Sequence, residues 1–485
     1  MKKIITLEKT VMKKSDNNKT GVEYFDSIAH TRDAWIKRNS YYNRKIKELH
    51  TFHVPPGSTV LELGCGTGEL LAALRPATGV GVDFSKEMIS IAAAKYSDLE
   101  FVVADAVDYE LDGKFDYIII SDTVGYFSDI GAVFAKIRDN CHSGTRLIVN
   151  YHNYLWEPFL RLLEMLGLKM RQPFTSWLNI EDMVNLLKLE DFEVVRSGGR
   201  LLFPMGIPLL APFLNSFIGN LPLINKLSLV NYIVARPLEL PAFESEPSVT
   251  VVIPAMNESG NIEEAVKRTP EMGAGTEIIF IEGGSTDDTY AEIERVVKKY
   301  AGKRKILYAK QDGIGKGDAV RKGYAMATGD ILMILDADLT VPPEDLPKFY
   351  KAISTGKGEF INGTRLVYPL EKDSMRPLNI LGNKFFSLMF TWLLSQKFKD
   401  TLCGTKVLSA ANYAKLAANR SYFGEFDPFG DFDLLFGASK MSLKIIEVPV
   451  RYQARVYGET NISRFRHGLL LLKMCIYAMR KIKFI

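Results

Sequence analysis

Cysteine is scarce: Cys65, Cys141, Cys403 and Cys475 are scattered through 485 residues, with neither metal-ligand spacing nor the makings of a disulfide framework. A reducing, cytoplasmic compartment is the expectation that follows. The N-terminus carries lysines but no apolar run of signal-peptide length, so secretion is not expected. No uninterrupted apolar stretch reaches the roughly 18–20 residues that span a bilayer. An excess of one charge is lacking too: 61 Lys and Arg face 57 Asp and Glu, a net charge of +4. A total so small gives no reason to expect a nucleic-acid partner. Basic residues crowd only the two ends, with Lys2, Lys3, Lys9, Lys13, Lys14 and Lys19 at one and Arg464, Arg466, Lys473, Arg480, Lys481 and Lys483 at the other.

What is present points to a globular chain, 47% hydrophobic and 24% charged. Its length suits two domains of about 200–250 residues. Two separate series of short apolar strands followed by helical patterns give the α/β signature. The first series runs from about Thr59 to Val149 and the second starts at Val249. Between them "ARPLELPAFESEPS" is polar and proline-rich and reads as a linker. The expected layout is a first domain over residues 1–240, a linker at 241–247, a second domain over 248–463 and a basic, apolar tail over 464–485.

In the first half, "STVLELGCGTGELLAAL" is a strand, a glycine-rich turn and a helix. Gly64, Gly66 and Gly68 let backbone amides approach a ligand closely. A second strand ends in Asp83, about twenty residues further on, where an acid suits ribose hydroxyls. A third ends in Asp105 and Ala106. The series resembles the class I S-adenosylmethionine methyltransferases over roughly residues 20–240. The resemblance implies a Rossmann-like sheet and S-adenosyl-L-methionine as cofactor. It places Glu62, Gly64, Gly66 and Gly68 on the first motif, Asp83 on the ribose and Asp105 with Ala106 on the adenine. The spacing differs from the GxGxxG dinucleotide fingerprint. Methyl transfer needs mainly in-line positioning, so the acceptor leaves little trace; Tyr151 and His152 are candidates for its pocket or ordinary packing residues. A module that only senses the cofactor is the alternative. Further on, residues 204–223 are apolar yet broken by Pro204, Pro208, Pro212 and Pro222. They suit a loop lying on a membrane surface or on the partner domain.

In the second half, "VTVVIPAMNE" is a strand whose end carries Pro254, Met256 and Glu258, with Ser259 as the expected cap of the next helix. The strand of "EIIFIEGGSTDD" holds Ile281 and ends in Glu282 and Gly283. "GIGKGDA" supplies Lys316, and the strand "DILMIL" leads into Asp336, Ala337 and Asp338. Alternation along a strand sends residues i and i+2 to one face, so both acids are expected to meet one hard cation, Mg²⁺ or Mn²⁺. These residues resemble family 2 glycosyltransferases of the GT-A (nucleotide-diphospho-sugar transferase) fold, in the dolichol-phosphate mannosyltransferase-like branch, over about residues 248–467.

That resemblance implies a nucleotide-sugar donor held by Pro254, Met256, Glu258, Ile281, Gly283, Lys316, Asp336, Ala337 and Asp338, with metal on Asp336 and Asp338. Arg365 and Arg455 are implied near the diphosphate, "KDTLCGTKVLS" on the acceptor side, and Asp433 at an acidic position of the branch. Two positions depart from the pattern. "EGGS" replaces the usual "DDGS", so the base, uracil or guanine, stays open. Asn461 stands where a lysine is usual, with Arg464 or Arg466 as substitutes. The implied chemistry is inverting transfer, with Asp338 catalytic through the metal. A polyprenyl-phosphate acceptor needs no general base, whereas a glycan hydroxyl would, with Asp433 the candidate. The segment around Trp392 reads as a core helix or an interfacial one. The terminal segment resembles a membrane-surface anchor, and a peripheral place on the inner face of the cell membrane is expected.

Overall fold

The structure, a computed structural model, describes residues 5–6, 16–171, 175–238, 240, 242–368, 377–420, 431–455, 457 and 464–483. They form two compact units, one within Met1–Leu240 and the other within Pro241–Lys483.

The first unit is built on eight strands: β1 (Ile5–Thr6), β2 (Thr59–Leu63), β3 (Thr78–Asp83), β4 (Glu100–Val103), β5 (Phe115–Ser121), β6 (Cys141–His152), β7 (Phe192–Arg200) and β8 (Val230–Pro237). Their spatial order is β1-β4-β3-β2-β5-β6-β8-β7. All neighbours run parallel except β8, which is antiparallel to both β6 and β7. The strands read as nearly continuous apolar runs because both faces are covered. Leu61, Leu63, Ile118 and Ile120 enter one core, while Val60, Ile119 and Ile148 enter the other. The chain reverses direction across the sheet between β2 and β5, the place where an open α/β sheet leaves a crevice at its strand ends. This is the expected Rossmann-like architecture with an antiparallel hairpin on its far edge.

Two features of this unit were illegible beforehand. The linker reading began at Ala235, but Ala235, Arg236 and Pro237 finish the buried strand β8. Arg236 is polar in sequence yet paired with Glu193 across the hairpin at 2.8–2.9 Å. Two N-terminal helices, α1 (Asp16–Arg38) and α2 (Ser40–His53), also went unread. Residues 204–223 form short helical turns that leave Leu209, Phe213 and Leu223 exposed.

The second unit holds β9 (Val249–Ala255), β10 (Thr276–Glu282), β11 (Lys305–Lys310), β12 (Ile331–Ile334), β13 (Phe360–Thr364), β14 (Lys406–Ser409) and β15 (Ile445–Pro449), in the order β11-β10-β9-β12-β14-β13-β15. Only β14 runs antiparallel to its neighbours. The reversal point lies between β9 and β12, so the ends of these two strands face one crevice. The expected GT-A α/β sheet is thus present.

Helices Pro377–Leu394 and Arg464–Ile482 pack on one another. The first buries Phe386, Phe390 and Leu393, and the second Leu471, Met474, Cys475 and Ala478. The terminal segment, expected as a separate tail, is therefore half core, because its apolar residues at helical spacing find a partner face. Leu381, Phe385 and Leu388 on one helix and Leu469, Leu472 and Ile476 on the other stay exposed. Among the described residues no helix is long and apolar enough to cross a membrane.

Candidate active sites

In the first unit the glycine turn leaves β2 with Gly64, Gly66 and Gly68 all at positive φ. A Cβ on Gly66 would meet nothing within 4 Å, whereas one on Gly64 would come within 2.5 Å of Thr123 and one on Gly68 within 2.8 Å of Phe101. Its amide donates to Asp83 Oδ2 at 2.9 Å, and Ser85 N donates to Asp83 Oδ1 at the same distance. Burial raises the Asp83 carboxyl above its ordinary value. Glu62, at the end of β2, is buried and its Oε2 has no partner among the described residues. Burial pushes its carboxyl up to about 8, aided by the neighbouring Asp83 charge. Asp105 accepts from Val107 N at 3.3 Å and Ala106 is buried beside it. The structure thus gathers Glu62, the glycines and Asp83 at the ends of β2 and β3, with Asp105 beyond β4.

The helix α1 closes over this turn, which sequence reasoning missed. Thr67 Oγ1 donates to Asp33 at 2.8 Å, Ser85 Oγ donates to Asp26, and Phe25 meets Phe84 and Tyr126 edge-on. Of the two acceptor-pocket candidates, Tyr151 turns into the core and donates to Asn179 O at 3.2 Å. His152 points the other way, toward Tyr42.

In the second unit the two acids after β12 stand in a turn, since the strand ends at Ile334. Strand alternation therefore does not place them; the turn does, and Ala337 between them is buried. Lys316 Nζ pairs with Asp336 Oδ1 at 2.6 Å. Arg455 bridges Asp338 Oδ2 at 2.6 Å and Glu258 Oε1 at 2.8 Å. Asp338 Oδ1 also accepts from Thr340 N and Oγ1. Burial opposes the ionisation of Asp336, but Lys316, Lys406 and Arg365 outweigh it and hold the carboxyl below its ordinary value. Burial raises Glu258 against the pull of Arg455. Gly404 explains the glycine of "CGTK": a Cβ there would lie 1.9 Å from Asp336 Oδ2 and 2.6 Å from Lys316 Nζ.

Around this centre, Asn257 adopts a positive φ of 57° and its Oδ1 accepts from Thr286 N at 2.8 Å, tying the end of β9 to the loop after β10. Glu282 accepts from Ser285 N within that loop, Ile281 is buried in β10, and Pro254 is the penultimate residue of β9, shortly before the exposed Met256. A Cβ on Gly283 would stand 3.2 Å from that of Met256. Ser259 does not cap a helix; its Oγ meets Tyr457 OH at 2.9 Å. Arg365 gives Nε and Nη2 to Asp400 at 2.6 and 2.9 Å, a pairing that sequence reasoning missed. Asp433 is buried and paired with Arg420 at 2.9 Å. Asn461 lies outside the described residues.

Asp336 and Asp338 offer hard oxygen ligands, and two carboxylates completed by phosphate oxygens and water suit a small divalent cation. Lys316 and Arg455 occupy those oxygens as cations, so the donor set fits positive charge.

Comparison with known proteins finds a matching family model for a segment of each half. A model described as "Methyltransferase domain" matches residues 34–197, and one described as "Glycosyl transferase family 2" matches residues 250–416. The chain is 26% identical over 223 residues to "Glycosyltransferase AglJ" of Haloferax volcanii, covering 46% of this chain and 68% of that one. It is 26% identical over 224 residues to "Glycosyltransferase AglD" of the same organism, covering 45% and 35%. Over 121 residues it is 36% identical to the dolichol-phosphate mannosyltransferase of Pyrococcus furiosus, covering 24% and 33%. The chain thus spans about a third of the length of two of these relatives. Each sheet underlies one of the matched segments, and the chain joins a methyltransferase domain to a glycosyltransferase family 2 domain.

Proposed function

We propose that the second domain transfers a sugar, with inversion, from a nucleotide-sugar to a polyprenyl phosphate, with Mg²⁺ or Mn²⁺ on Asp336 and Asp338. The observation that carries this reading is the exchange poised at those acids. Lys316 and Arg455 already neutralise them, and a divalent ion held by Asp336 and Asp338 would leave both cations to bind the donor's phosphates. The ion, when bound, offsets the charge that gathers on the departing diphosphate. Lys316 and Arg455 hold that diphosphate in line, and Arg365, with Nη1 unpartnered among the described residues, adds its field. Pro254, Met256, Glu258, Ile281, Gly283 and Asn461 complete the proposed donor site. The proposal of a lipid acceptor rests on the exposed apolar strips of helices Pro377–Leu394 and Arg464–Ile482, with Lys473, Arg480 and Lys481 on the latter. It agrees with the activities for which relatives are named, among them a dolichol-phosphate mannosyltransferase and an undecaprenyl-phosphate 4-deoxy-4-formamido-L-arabinose transferase. The same strips support a peripheral place on a membrane surface, which we assign to the cytoplasmic side of the cell membrane. Labelled sugar moving from a UDP- or GDP-sugar to a short-chain polyprenyl phosphate is the test.

The first domain, by the same proposal, binds S-adenosyl-L-methionine, with Asp83 on the ribose, Asp105 and Ala106 at the adenine and Glu62 toward the donor's cationic end. Glu62 supplies a signature. Its folded value lies above its unfolded one, so its proton stabilises the fold below about pH 4.5 and that contribution is lost as pH rises through about 8. A cationic ligand that ionises Glu62 must release that proton. S-adenosylmethionine should therefore bind at pH 7 with release of a substantial fraction of one proton, read by calorimetry in buffers of different ionisation enthalpy. Glu62→Gln should abolish the release. An unchanged release in that variant would remove Glu62 from the donor site.

A further inference from the structure

Three residues that neither motif claims meet at the carboxyl ends of β5 and β6, under α2. Tyr42 of α2 donates its hydroxyl proton to Asp122 Oδ2 at 2.7 Å, and the same hydroxyl lies 3.2 Å from His152 Nε2. Asp122 follows β5 in a left-handed conformation, φ 56°, which a residue with a side chain keeps only where its surroundings enforce it. Asn150 of β6 does so from two sides: its Nδ2 donates to Asp122 Oδ1 at 2.8 Å, and its carbonyl accepts from Asp122 N at 2.9 Å. His50 of α2 in turn fixes Asn150, with Nε2 2.7 Å from its Oδ1.

Valence sets the direction of this chain. A carboxylate only accepts, so the one proton of Tyr42 goes to Asp122 and the phenolic oxygen accepts from His152 Nε2–H. The lone pair then resides on His152 Nδ1, which has no hydrogen-bond partner among the described residues. The site adjoins the glycine turn. Thr123, next to Asp122, lies against Gly64, where a Cβ would come within 2.5 Å of its side chain. The charge of Arg32 on α1 reaches both Asp83 and Tyr42. Trp177 stands beside the imidazole at 6.5 Å between ring centroids. Burial lowers the His152 imidazole below its ordinary value, which keeps it neutral and able to take a proton.

We infer that His152, positioned by Tyr42 and Asp122, is the proton acceptor of the methyltransferase domain and that its methyl acceptor is a neutral hydroxyl. This rests on the reading of the glycine turn as the S-adenosylmethionine site. The hydroxyl oxygen forms the new bond to the methyl carbon. The carbon–sulfur bond breaks with its electron pair returning to sulfur, giving S-adenosylhomocysteine, and the hydroxyl proton passes to His152 Nδ1. Asp122 and Tyr42 are positioning residues: they fix the ring's tautomer and offset the imidazolium that forms.

The test needs no knowledge of the acceptor. Sinefungin carries an ammonium group where the methyl donor carries its methyl, whereas S-adenosylhomocysteine carries nothing there. In the full chain, His152→Phe and Asp122→Asn should each weaken sinefungin about tenfold, through the lost lone pair or charge facing the ammonium. S-adenosylhomocysteine should bind all forms alike, which also reports that the variants are folded. Tyr42→Phe, which keeps the ring, should show the same split. The His152 ring resonance of the unaltered chain should move with sinefungin and hold still with S-adenosylhomocysteine. Equal losses for both ligands, or none for either, would make the cluster a structural brace and overturn the inference. Failure of the unaltered chain to bind S-adenosylhomocysteine would instead overturn the methyl-donor reading beneath it.

Discussion

Asp338→Asn should lower sugar transfer at least about a hundredfold, the order lost when a group that stabilises transition-state charge is removed, and should leave S-adenosylhomocysteine binding unchanged. The substitution is close to isosteric, and an amide oxygen can still accept from Thr340 N and Oγ1. The negative charge is what disappears. Without it Arg455 loses the carboxylate it meets at 2.6 Å while its bond to Glu258 remains, and a divalent ion held as proposed would lose one of its two carboxylates. Because the methyl-donor residues belong to the other compact unit, the loss should be confined to glycosyl transfer. Sugar transfer and ligand calorimetry on one preparation check both halves of the expectation. Full activity in the presence of a strong chelator would show that the paired acids do not act through a metal.

A second large effect is expected on stability. Asp400 is fully buried and accepts from Arg365 Nε, Nη2 and N, from Asn383 Nδ2 and from Leu402 N. Burial alone would raise its carboxyl, but Arg365 holds it below its ordinary value. Asp400→Ala strands a buried guanidinium and several donors at once, a change that costs about 3–5 kcal/mol. For a unit of this size that corresponds to a fall of roughly 6–20 °C in melting temperature. Scanning calorimetry should show the transition of the second unit falling, while the one that S-adenosylhomocysteine raises stays in place. Since the folded value is depressed, the pair's contribution is present above the unfolded value near pH 4 and is lost as pH falls below it. Replacing both partners with apolar residues should recover part of the loss, because no charge is then left buried alone.

The contrast between Asp338 and Asp400 marks what a sequence can reveal. The turn after β12, the glycines after β2 and Asp83 were legible because each is a local pattern: a strand, then residues whose chemistry needs a strand end. Arg455 was assigned to the phosphates, yet its bridge to Glu258 joins residues 197 positions apart, and no local pattern records that pairing. Asp400 sat in a segment read for its acceptor side; its bond to Arg365 exists only once β13 and the loop before β14 meet. Strand β8 was hidden because Arg236 and Pro237 look like a linker until Glu193 is placed opposite. The terminal helix looked like a free anchor because its apolar residues had no visible partner, and helix Pro377–Leu394 is that partner. Tyr42, Asp122 and His152 come from three elements, and nothing in their spacing joins them.

Where the sugar goes is the most direct test of the proposed function. Full-length chain, presented with vesicles containing a polyprenyl phosphate and with a soluble glycan acceptor, should be given labelled UDP- and GDP-sugars with Mn²⁺ or with chelator. Label is expected in the lipid phosphate only, from one of the two nucleotide classes, and only with the metal. Label in the glycan and none in the lipid phosphate, or equal transfer in chelator, would contradict the proposed function.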